Sequence, residues 1–516
     1  MVLILLLVSS RSLAAPIFRF HLVNEPSSLK AWEQKNSAGS YLLSQITGTL
    51  LNYQNQELQP NLADSCSFLS PTKLICHLKK DLTWSDGKKL VAGDFVRSFQ
   101  TFLDPAKHAF KANILFPIKN AEKIYLGLLS KEQLQVKAKG DRALVLELEK
   151  PDSDFIYVLA NPLLAPLPEN ELPSIEQIQK SGSSWVSSGS YIIQSWIPQQ
   201  KISLQPNPKF WKKNDRPNLE ILTISEDSVA LGLYEKGGLS LLRRLPTLYI
   251  PKYKTRADYF EVPQFRFDYL GFSKKWRSNM NFRKALSASI PYDELQTLYQ
   301  SKGTPGCPGI LPSLYLSKNG HKKEQPEDFC YHFDLAKAKK FWGQAFSGAK
   351  APGLALLYSA QGGDDHKRSM EFLQAQWLKN LGARIEVSPL ENKLFVEKLK
   401  ADPPDVFRKG IAPERPTCLS GLQYFETHHP ENLIGFSNPE FDALLLKLEK
   451  AQSQLDKKKL CRRGLHLLLG EAWMIPTGPL HFSLLVSKEW QSWKLNELNQ
   501  LDLSDLHFVA APPPAQ

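Results

Sequence analysis

The chain has 516 residues, a length too great for one hydrophobic core, so we expect two or three lobes. Apolar residues make up 42% and charged residues 22%, a balance that excludes a disordered chain. Lys and Arg outnumber Asp and Glu by 64 to 52, a formal net charge of +12. Because the basic residues are dispersed, we interpret this excess as a mildly basic surface and expect no nucleic-acid partner.

The N-terminus begins with an apolar run over residues 2–8, followed by small residues. The run is too short for a membrane-spanning helix, but it is typical of the core of a secretory signal, with cleavage expected after Ala14. We therefore expect residues 1–14 to be a signal peptide and the mature protein to be periplasmic. No basic residue precedes the run, which leaves an upstream start open, and no cysteine follows it to carry a lipid.

Six cysteines occur without a Cys-x-x-Cys pair, which argues against a structural zinc site and a thioredoxin-like redox motif. Cys66 and Cys76 are nearly symmetric about residues 70–72, where the sequence Ser-Pro-Thr predicts a turn. A hairpin would place these two cysteines opposite each other, and an oxidising compartment would allow a disulfide between them. The sequence does not assign the other four.

The first third of the chain contains one well-marked strand, turn and helix. Alternating apolar residues predict a strand at 74–78, and Gly87 in the sequence Ser-Asp-Gly predicts a turn. Apolar residues at helical spacing follow, with Asp94 expected as the N-cap. Further on, two alternating segments around the Gly-Asp turn at 140–141 predict a β-hairpin.

Catalytic motifs are missing from the sequence. It contains no Gly-x-Ser-x-Gly elbow, no phosphate-binding loop, no His-Glu-x-x-His and no dinucleotide fingerprint. The serines at 187–190 fit a polar turn better than a nucleophile. His428 and His429 are adjacent, so on a strand they would point to opposite faces and make a poor metal ligand. We expect no catalytic residue, no metal site and no cofactor.

Several motifs resemble one family. Trp-Ser-Asp-Gly at 84–87 is followed by Ala-Gly-Asp-Phe-Val at 92–96 and Leu-Asp-Pro at 103–105. In this order they resemble the extracellular solute-binding proteins, family 5, of peptide-importing ABC transporters, and most of all the oligopeptide-binding branch. Other matching segments extend the resemblance over nearly the whole range from 17 to 508, among them 60–65, 207–211, 281–286 and 438–442.

The resemblance implies an α/β fold of the two-lobed periplasmic-binding-protein type, in its large cluster-C form, with an extra inserted small domain. The resemblance implies a first lobe formed by 15–53, 164–264 and 481–508, an inserted domain at 54–163 and a second lobe at 265–480. The tail at 509–516 has low complexity and is expected to be disordered.

The resemblance also implies a function. The chain would be the substrate-binding component of an ABC importer, a non-enzymatic monomer that closes on an oligopeptide by hinge motion and delivers it to the permease subunits and their ATPases. Relatives with the same architecture bind dipeptides, murein peptides or nickel complexes, and these cargoes stay open. From other classes, an exported hydrolase or a non-transport surface protein on the same scaffold stays open too.

One segment carries the candidate binding site. Residues 404–417 resemble the family motif Asp-Val-x-Arg-x-Gly-Trp-x-x-Asp-x-x-x-Pro-Thr, with Arg408 and Gly410 matching it. Glu414 stands where the family has the aspartate that pairs with the peptide's α-ammonium group, although a solvated loop glutamate is the alternative. Ile411 replaces the family's tryptophan, so one aromatic wall of the cleft is expected to be lost.

Four further positions complete the expected site. Asn392 stands at the place of a second cleft aromatic. His366, Lys398 and Lys400 are candidates for contact with the peptide's carboxylate, although each residue type is more often found at the surface. Phe110 lies near the family's cleft tyrosine and would close over the ligand.

Overall fold

A computed structural model describes residues 16–34, 37–170, 172–181, 184–298, 310, 331–451 and 453–510. The predicted signal peptide lies outside these ranges, as do residues 511–516 of the predicted tail. Residues 303–330, including Cys307 and Cys330, where Gly and Pro predict a loop, also lie outside them except for Ile310. Among the described residues, no helix combines the length and apolar character needed to cross a membrane.

The strands are numbered in chain order. They are β1 Ile17–Leu22, β2 Leu51–Gln54, β3 Glu57–Pro60, β4 Ala63–Ser70, β5 Lys73–Leu78, β6 Val136–Lys139, β7 Ala143–Glu147, β8 Tyr191–Ile197, β9 Lys201–Pro206, β10 Asn218–Thr223, β11 Leu241–Leu242, β12 Tyr259–Phe272, β13 Leu354–Ser359, β14 Ile385–Leu390, β15 Val406–Ile411, β16 Ile475–Val486, β17 Trp490–Gln491, β18 Lys494–Leu495, β19 Leu501–Asp502 and β20 His507–Phe508.

The helices are numbered in the same way. They are α1 Ser37–Ile46, α2 Ala92–Phe102, α3 Ala121–Tyr125, α4 Ile175–Ser181, α5 Asp227–Glu235, α6 Ile250–Tyr253, α7 Lys274–Arg277, α8 Met280–Ala288, α9 Tyr292–Leu298, α10 Leu335–Ala345, α11 Gly363–Leu381, α12 Asn392–Ala401, α13 Cys418–Leu422, α14 Pro439–Lys450 and α15 Gln454–Leu469.

A ten-stranded mixed sheet runs through both halves of the molecule, in the order β14, β13, β15, β12, β16, β11, β1, β10, β9, β8. The long antiparallel strands β12 and β16 lie at its centre and belong to both halves. Their pairing is interrupted between Pro263 and Phe267. This interruption lies where the chain passes from one half to the other, so it is the natural place for a hinge between two lobes.

Separate apolar cores fill the two halves. The largest cluster joins residues 18–221 with residues 484–506, whereas two other clusters lie within 265–475, on β12, β13 and β15 and the helices around them. The fold is therefore a two-lobed α/β architecture, as predicted. The exact domain boundaries stay predictions, and the apolar side chains of the 54–163 segment belong to the same cluster as the first lobe.

A four-stranded antiparallel sheet, in the order β4, β5, β7, β6, lies within the segment predicted as an inserted domain. Cys66 and Cys76 are directly opposite each other on β4 and β5 and form a disulfide, which confirms the predicted bridge. The predicted hairpin around residues 140–141 is formed by β6 and β7. We refer to residues 54–163 as the insert.

Helix α2 of the insert begins three residues earlier than the sequence predicted. Asp94 was expected as its N-cap, and this was wrong, because the helix begins at Ala92 and Val91 is the N-cap. Asp94 Oδ2 instead accepts hydrogen bonds from the backbone N–H of Val91 at 3.0 Å and from Trp84 Nε1 at 3.1 Å. A carboxylate in the third helical position reaches back to the N-cap in this way. The apolar residues at helical spacing therefore predicted the helix correctly, but its first residue was misplaced.

Candidate functional site

The loop between β15 and α13 carries Glu414 to the junction of the second lobe with the insert. Glu414 Oε1 lies 2.8 Å from Nζ of Lys111, and the side chains are 30% and 35% exposed, respectively. Lys111 precedes a 3₁₀ turn at Ala112–Leu115, and its neighbour Phe110 is 67% exposed. The structure thus brings two of the predicted site residues, Glu414 and Phe110, to the same junction. Glu414 is paired there with Lys111, a cation that the sequence reasoning did not include.

Three further ion pairs join the insert to the second lobe. Arg415 Nη1 lies 2.6 Å from Asp152, Lys457 Nζ lies 2.6 Å from Asp154, and Lys150 Nζ lies 3.0 Å from Glu449. In the first two pairs, no side chain is more than 17% exposed. Residues 150–154 therefore lie firmly against the second lobe, close to the loop that holds Glu414.

Arg408 lies on β15 and belongs to a buried charged group. Its Nη2 donates to Asp268 on β12, and the two side chains are only 3% and 4% exposed. Its Nη1 lies 3.0 Å from Nδ1 of His366, which is on α11. Because a guanidinium has only donors, His366 Nδ1 accepts, and the ring is neutral at this nitrogen. Burial, together with the charge of Arg408, lowers the pKa of His366 to about 4.

Gly410 and Ile411 follow Arg408 on β15, and both are explained by packing. Gly410 faces Asp268 across the strand pair, and a Cβ at this position would lie 2.3 Å from Asp268 Oδ1. Only glycine leaves room for the buried carboxylate there. Ile411 is 4% exposed and belongs to the apolar core of the second lobe, together with Phe267 and Phe425.

The remaining predicted residues lie on or near α12. Asn392 is the first residue of this helix, is exposed, and accepts a hydrogen bond from the Ser359 hydroxyl at 2.9 Å. Lys398 pairs with Asp402 at 2.7 Å, and Lys400 lies 3.7 Å from Glu431. Both lysines therefore already have carboxylate neighbours within the chain.

Sequence reasoning missed three residues of this region. Asp268 had a usable signal, because it is the one charged residue in the otherwise apolar segment from Phe267 to Phe272, and a charge in a buried strand requires a partner. Lys111 and Asp152 had no such signal. Each is a charged residue in a loop, and only the fold brings it next to its partner in the second lobe.

A second disulfide fixes the far end of the Glu414 loop. Cys418, the first residue of α13, is bonded to Cys461 on α15, a pairing that the sequence did not assign. Thr417, the N-cap of α13, accepts a hydrogen bond from the backbone N–H of Ser420. The loop at 412–417 is therefore held between strand β15 and an anchored helix.

Two cavities are lined in part by residues of the insert. One of about 270 Å³ lies beside the ion pairs of residues 150–154, between the insert and the second lobe, and its lining includes Tyr157, Thr417 and Lys457. A larger one of about 510 Å³ is lined mainly by polar residues of the first lobe, and none of the predicted site residues lines it. Within the described ranges, no cluster of three or more His, Cys, Asp or Glu residues could hold a metal ion.

Comparison with known proteins gives consistent matches. The family model for bacterial extracellular solute-binding proteins, family 5 Middle, matches residues 57–430. The probable deoxycholate-binding periplasmic protein YgiS of Escherichia coli K12 is 25% identical, over 89% of this chain and 87% of its own length. The periplasmic oligopeptide-binding protein OppA of the same strain is 24% identical, over 83% and 80%.

A solved structure matches nearly the whole chain. The unliganded open form of MppA, a periplasmic murein tripeptide binding protein, superposes with a TM-score of 0.78 at 21% identity. The match covers 96% of this chain and 97% of that one. At this level of identity the likeness shows the fold, and it confirms the two-lobed architecture.

Proposed function

The chain belongs to the bacterial extracellular solute-binding proteins, family 5, and we propose that it captures oligopeptides and hands them to the permease of an ABC importer. Binding uses hinge closure of two lobes and breaks no covalent bond. The peptide specificity is supported by OppA among its relatives. A periplasmic location, a monomeric state and a partnership with the permease subunits and their ATPases belong to the same proposal.

The observation that carries the proposal is the position of Glu414. Its carboxylate lies at the junction of insert and second lobe, is partly open to water, and already holds an ammonium group at 2.8 Å. A peptide's α-ammonium would make the same charge-assisted hydrogen bond, which is stronger than a bond between neutral groups. Glu414 therefore selects ligands with a free amino end, and the exposed ring of Phe110 covers that end after closure.

The other predicted contacts receive different roles. Arg408 and His366 are buried around Asp268, which supports a role in holding β15 rigid. The contact of His366 with the peptide's carboxylate stays a prediction. A rigid β15 positions the 412–417 loop, since the loop continues directly from the strand. Gly410 and Ile411 contribute to the packing of β15, whereas Asn392 is exposed at the start of α12 and remains accessible to a ligand.

The first test is mass spectrometry of the molecules that copurify with the protein, followed by calorimetric titration with mixed tri- to pentapeptides. Wild type is compared with Glu414→Gln, which keeps the side chain's shape and removes its charge. Glu147→Gln is the matched control, because Glu147 forms a similar exposed pair with Lys119 elsewhere on the insert.

We expect wild type and the control to bind peptides and Glu414→Gln to bind at least about tenfold more weakly. Tight binding by all three variants would keep the function and remove Glu414 as the anchor. No peptide binding by wild type would contradict the proposal and favour another cargo, such as a murein fragment or a metal complex.

A further inference from the structure

Lys111 forms an ion pair with Glu414, the residue whose carboxylate binds the ligand's ammonium group in the proposed function. Its Nζ lies 2.8 Å from Glu414 Oε1, so the anchor is already neutralised by the chain's own ammonium group. Both side chains are about one-third exposed, and ion pairs with this much access to water are weak and exchangeable. A ligand can therefore take Glu414 only by displacing Lys111 or by sharing the carboxylate with it.

Displacement has an electrostatic consequence. A ligand that brings only an ammonium group would leave Lys111 unpaired beside a second positive charge, and like charges a few ångströms apart repel. On the insert side, Asp152 does not offer a new partner, because it is buried in its own pair with Arg415.

A ligand that carries a carboxylate next to its ammonium group avoids this problem. Its ammonium pairs with Glu414, its carboxylate pairs with Lys111, and two ion pairs replace one. Both side chains are about one-third exposed, so this exchange of partners does not bury an unpaired charge.

We propose, on the basis of the function proposed above, that Lys111 is a specificity-determining residue that selects peptides whose amino-terminal residue carries an acidic group. Peptides that begin with Asp or Glu meet this requirement. So do peptides that begin with a glutamyl residue linked through its side-chain carboxyl group, because the α-ammonium and α-carboxylate then lie on one carbon atom. Phe110, the residue before Lys111, covers this end of the ligand on closure.

The test compares two peptides that differ only in their first residue, Glu-Ala-Ala-Ala and Gln-Ala-Ala-Ala, by calorimetry at low ionic strength. Wild type is compared with Lys111→Met, which keeps most of the length of the side chain and removes its charge. Lys107→Met is the matched control, since Lys107 lies in the same part of the insert but its Nζ is 5.9 Å from the ring of Trp32. Thermal unfolding of each variant verifies that it is folded.

We expect wild type and Lys107→Met to bind the Glu peptide about three- to tenfold more tightly than the Gln peptide. In Lys111→Met this preference should disappear or reverse, with tighter binding of the Gln peptide. Equal affinities in wild type, or an unchanged preference in Lys111→Met, would overturn this inference while leaving the proposed function intact. If wild type bound neither these peptides nor the tri- to pentapeptide mixture, the proposed function itself would fall, and the inference with it.

Discussion

Two groups of charged residues lie on or near strand β15, and they differ in burial and in the parts of the chain that they connect. Asp268, Arg408 and His366 lie within the second lobe, and the Asp268 and Arg408 side chains are 3–4% exposed. Glu414 and Lys111 connect different parts of the molecule and are 30–35% exposed. The first group contributes to the fold and does not exchange its partners. The second group is exposed enough to be a weak ion pair, and our proposal requires that a ligand can replace it.

The largest expected effect is at the buried group. Asp268→Asn removes the negative charge and leaves Arg408 as an uncompensated buried cation, so we expect the free energy of unfolding to fall by about 3–5 kcal/mol. Urea unfolding measures the change. Asp64→Asn is the control, because its pair with Lys79 is more exposed, and we expect it to cost less than about 1 kcal/mol. A similar small cost for both variants would show that the buried group does not differ from a surface pair.

The tight approach of β12 and β15 gives the next effect. Gly410→Ala would place a methyl group 2.3 Å from Asp268 Oδ1, and we expect a loss of about 1–3 kcal/mol in the free energy of unfolding. Gly343→Ala on α10 is the control, since no atom lies within 4 Å of its Cβ and alanine is the better helix former. If both substitutions were neutral, the close packing around Asp268 would be excluded.

The buried group also predicts a pH dependence of stability. The pKa of His366 is lowered to about 4 in the folded chain, below its usual value of 6.5, so the unfolded chain binds more protons between these values. Its contribution to stability is fully present above pH 6.5 and is lost as the pH falls towards 4. The pKa of His21 is also lowered to about 4, by burial and by the charge of Arg243, so His21 changes the stability in the same direction.

His366→Gln should therefore flatten the dependence of the unfolding free energy on pH between 4.5 and 6.5. The largest possible change in slope is about 1.4 kcal/mol per pH unit, which corresponds to one proton. Glutamine can still accept from Arg408, so the variant is expected to fold. Urea unfolding at four pH values measures the slope, and His21→Gln should flatten it in the same way. A slope equal to that of wild type would show that His366 has the same pKa in the folded and the unfolded chain.

The smallest effect is expected at the exchangeable pair. Lys111→Met should change the free energy of unfolding by no more than about 1 kcal/mol, because a pair that is one-third exposed contributes little. The double variant Lys111→Met with Glu414→Gln should be as stable as either single variant. A loss above about 2 kcal/mol in a urea titration would mean that the pair clamps the lobes together, which would make the contrast between the two groups false.

The sequence predicted most of the local structure because its signals are local. Gly87 has a φ of +88° in the predicted turn, and the predicted hairpin around residues 140–141 pairs β6 with β7. The Cys66 and Cys76 bridge followed from their symmetry about one turn. Asp94 was misassigned because a carboxylate can satisfy a helix start from either the N-cap or the third position.

The site was predictable only on one side. The family motif led to Glu414, since its spacing from Arg408 is fixed along one strand and loop. Lys111 was not predictable, because it is remote in sequence and meets Glu414 only through the packing of the insert on the second lobe. A lysine in a loop has no pattern that distinguishes it from an ordinary solvated residue.

The most direct test of the account is a calorimetric titration of the wild-type protein with one peptide in two forms, with a free amino terminus and with an acetylated one. The free form of Glu-Ala-Ala-Ala offers an ammonium group to Glu414, whereas acetylation replaces that charge with a neutral amide that keeps one N–H donor. We predict one-to-one binding of the free form and binding at least about tenfold weaker for the acetylated form. Equal affinity for both would contradict the assignment of Glu414 as the anchor of a peptide's amino end.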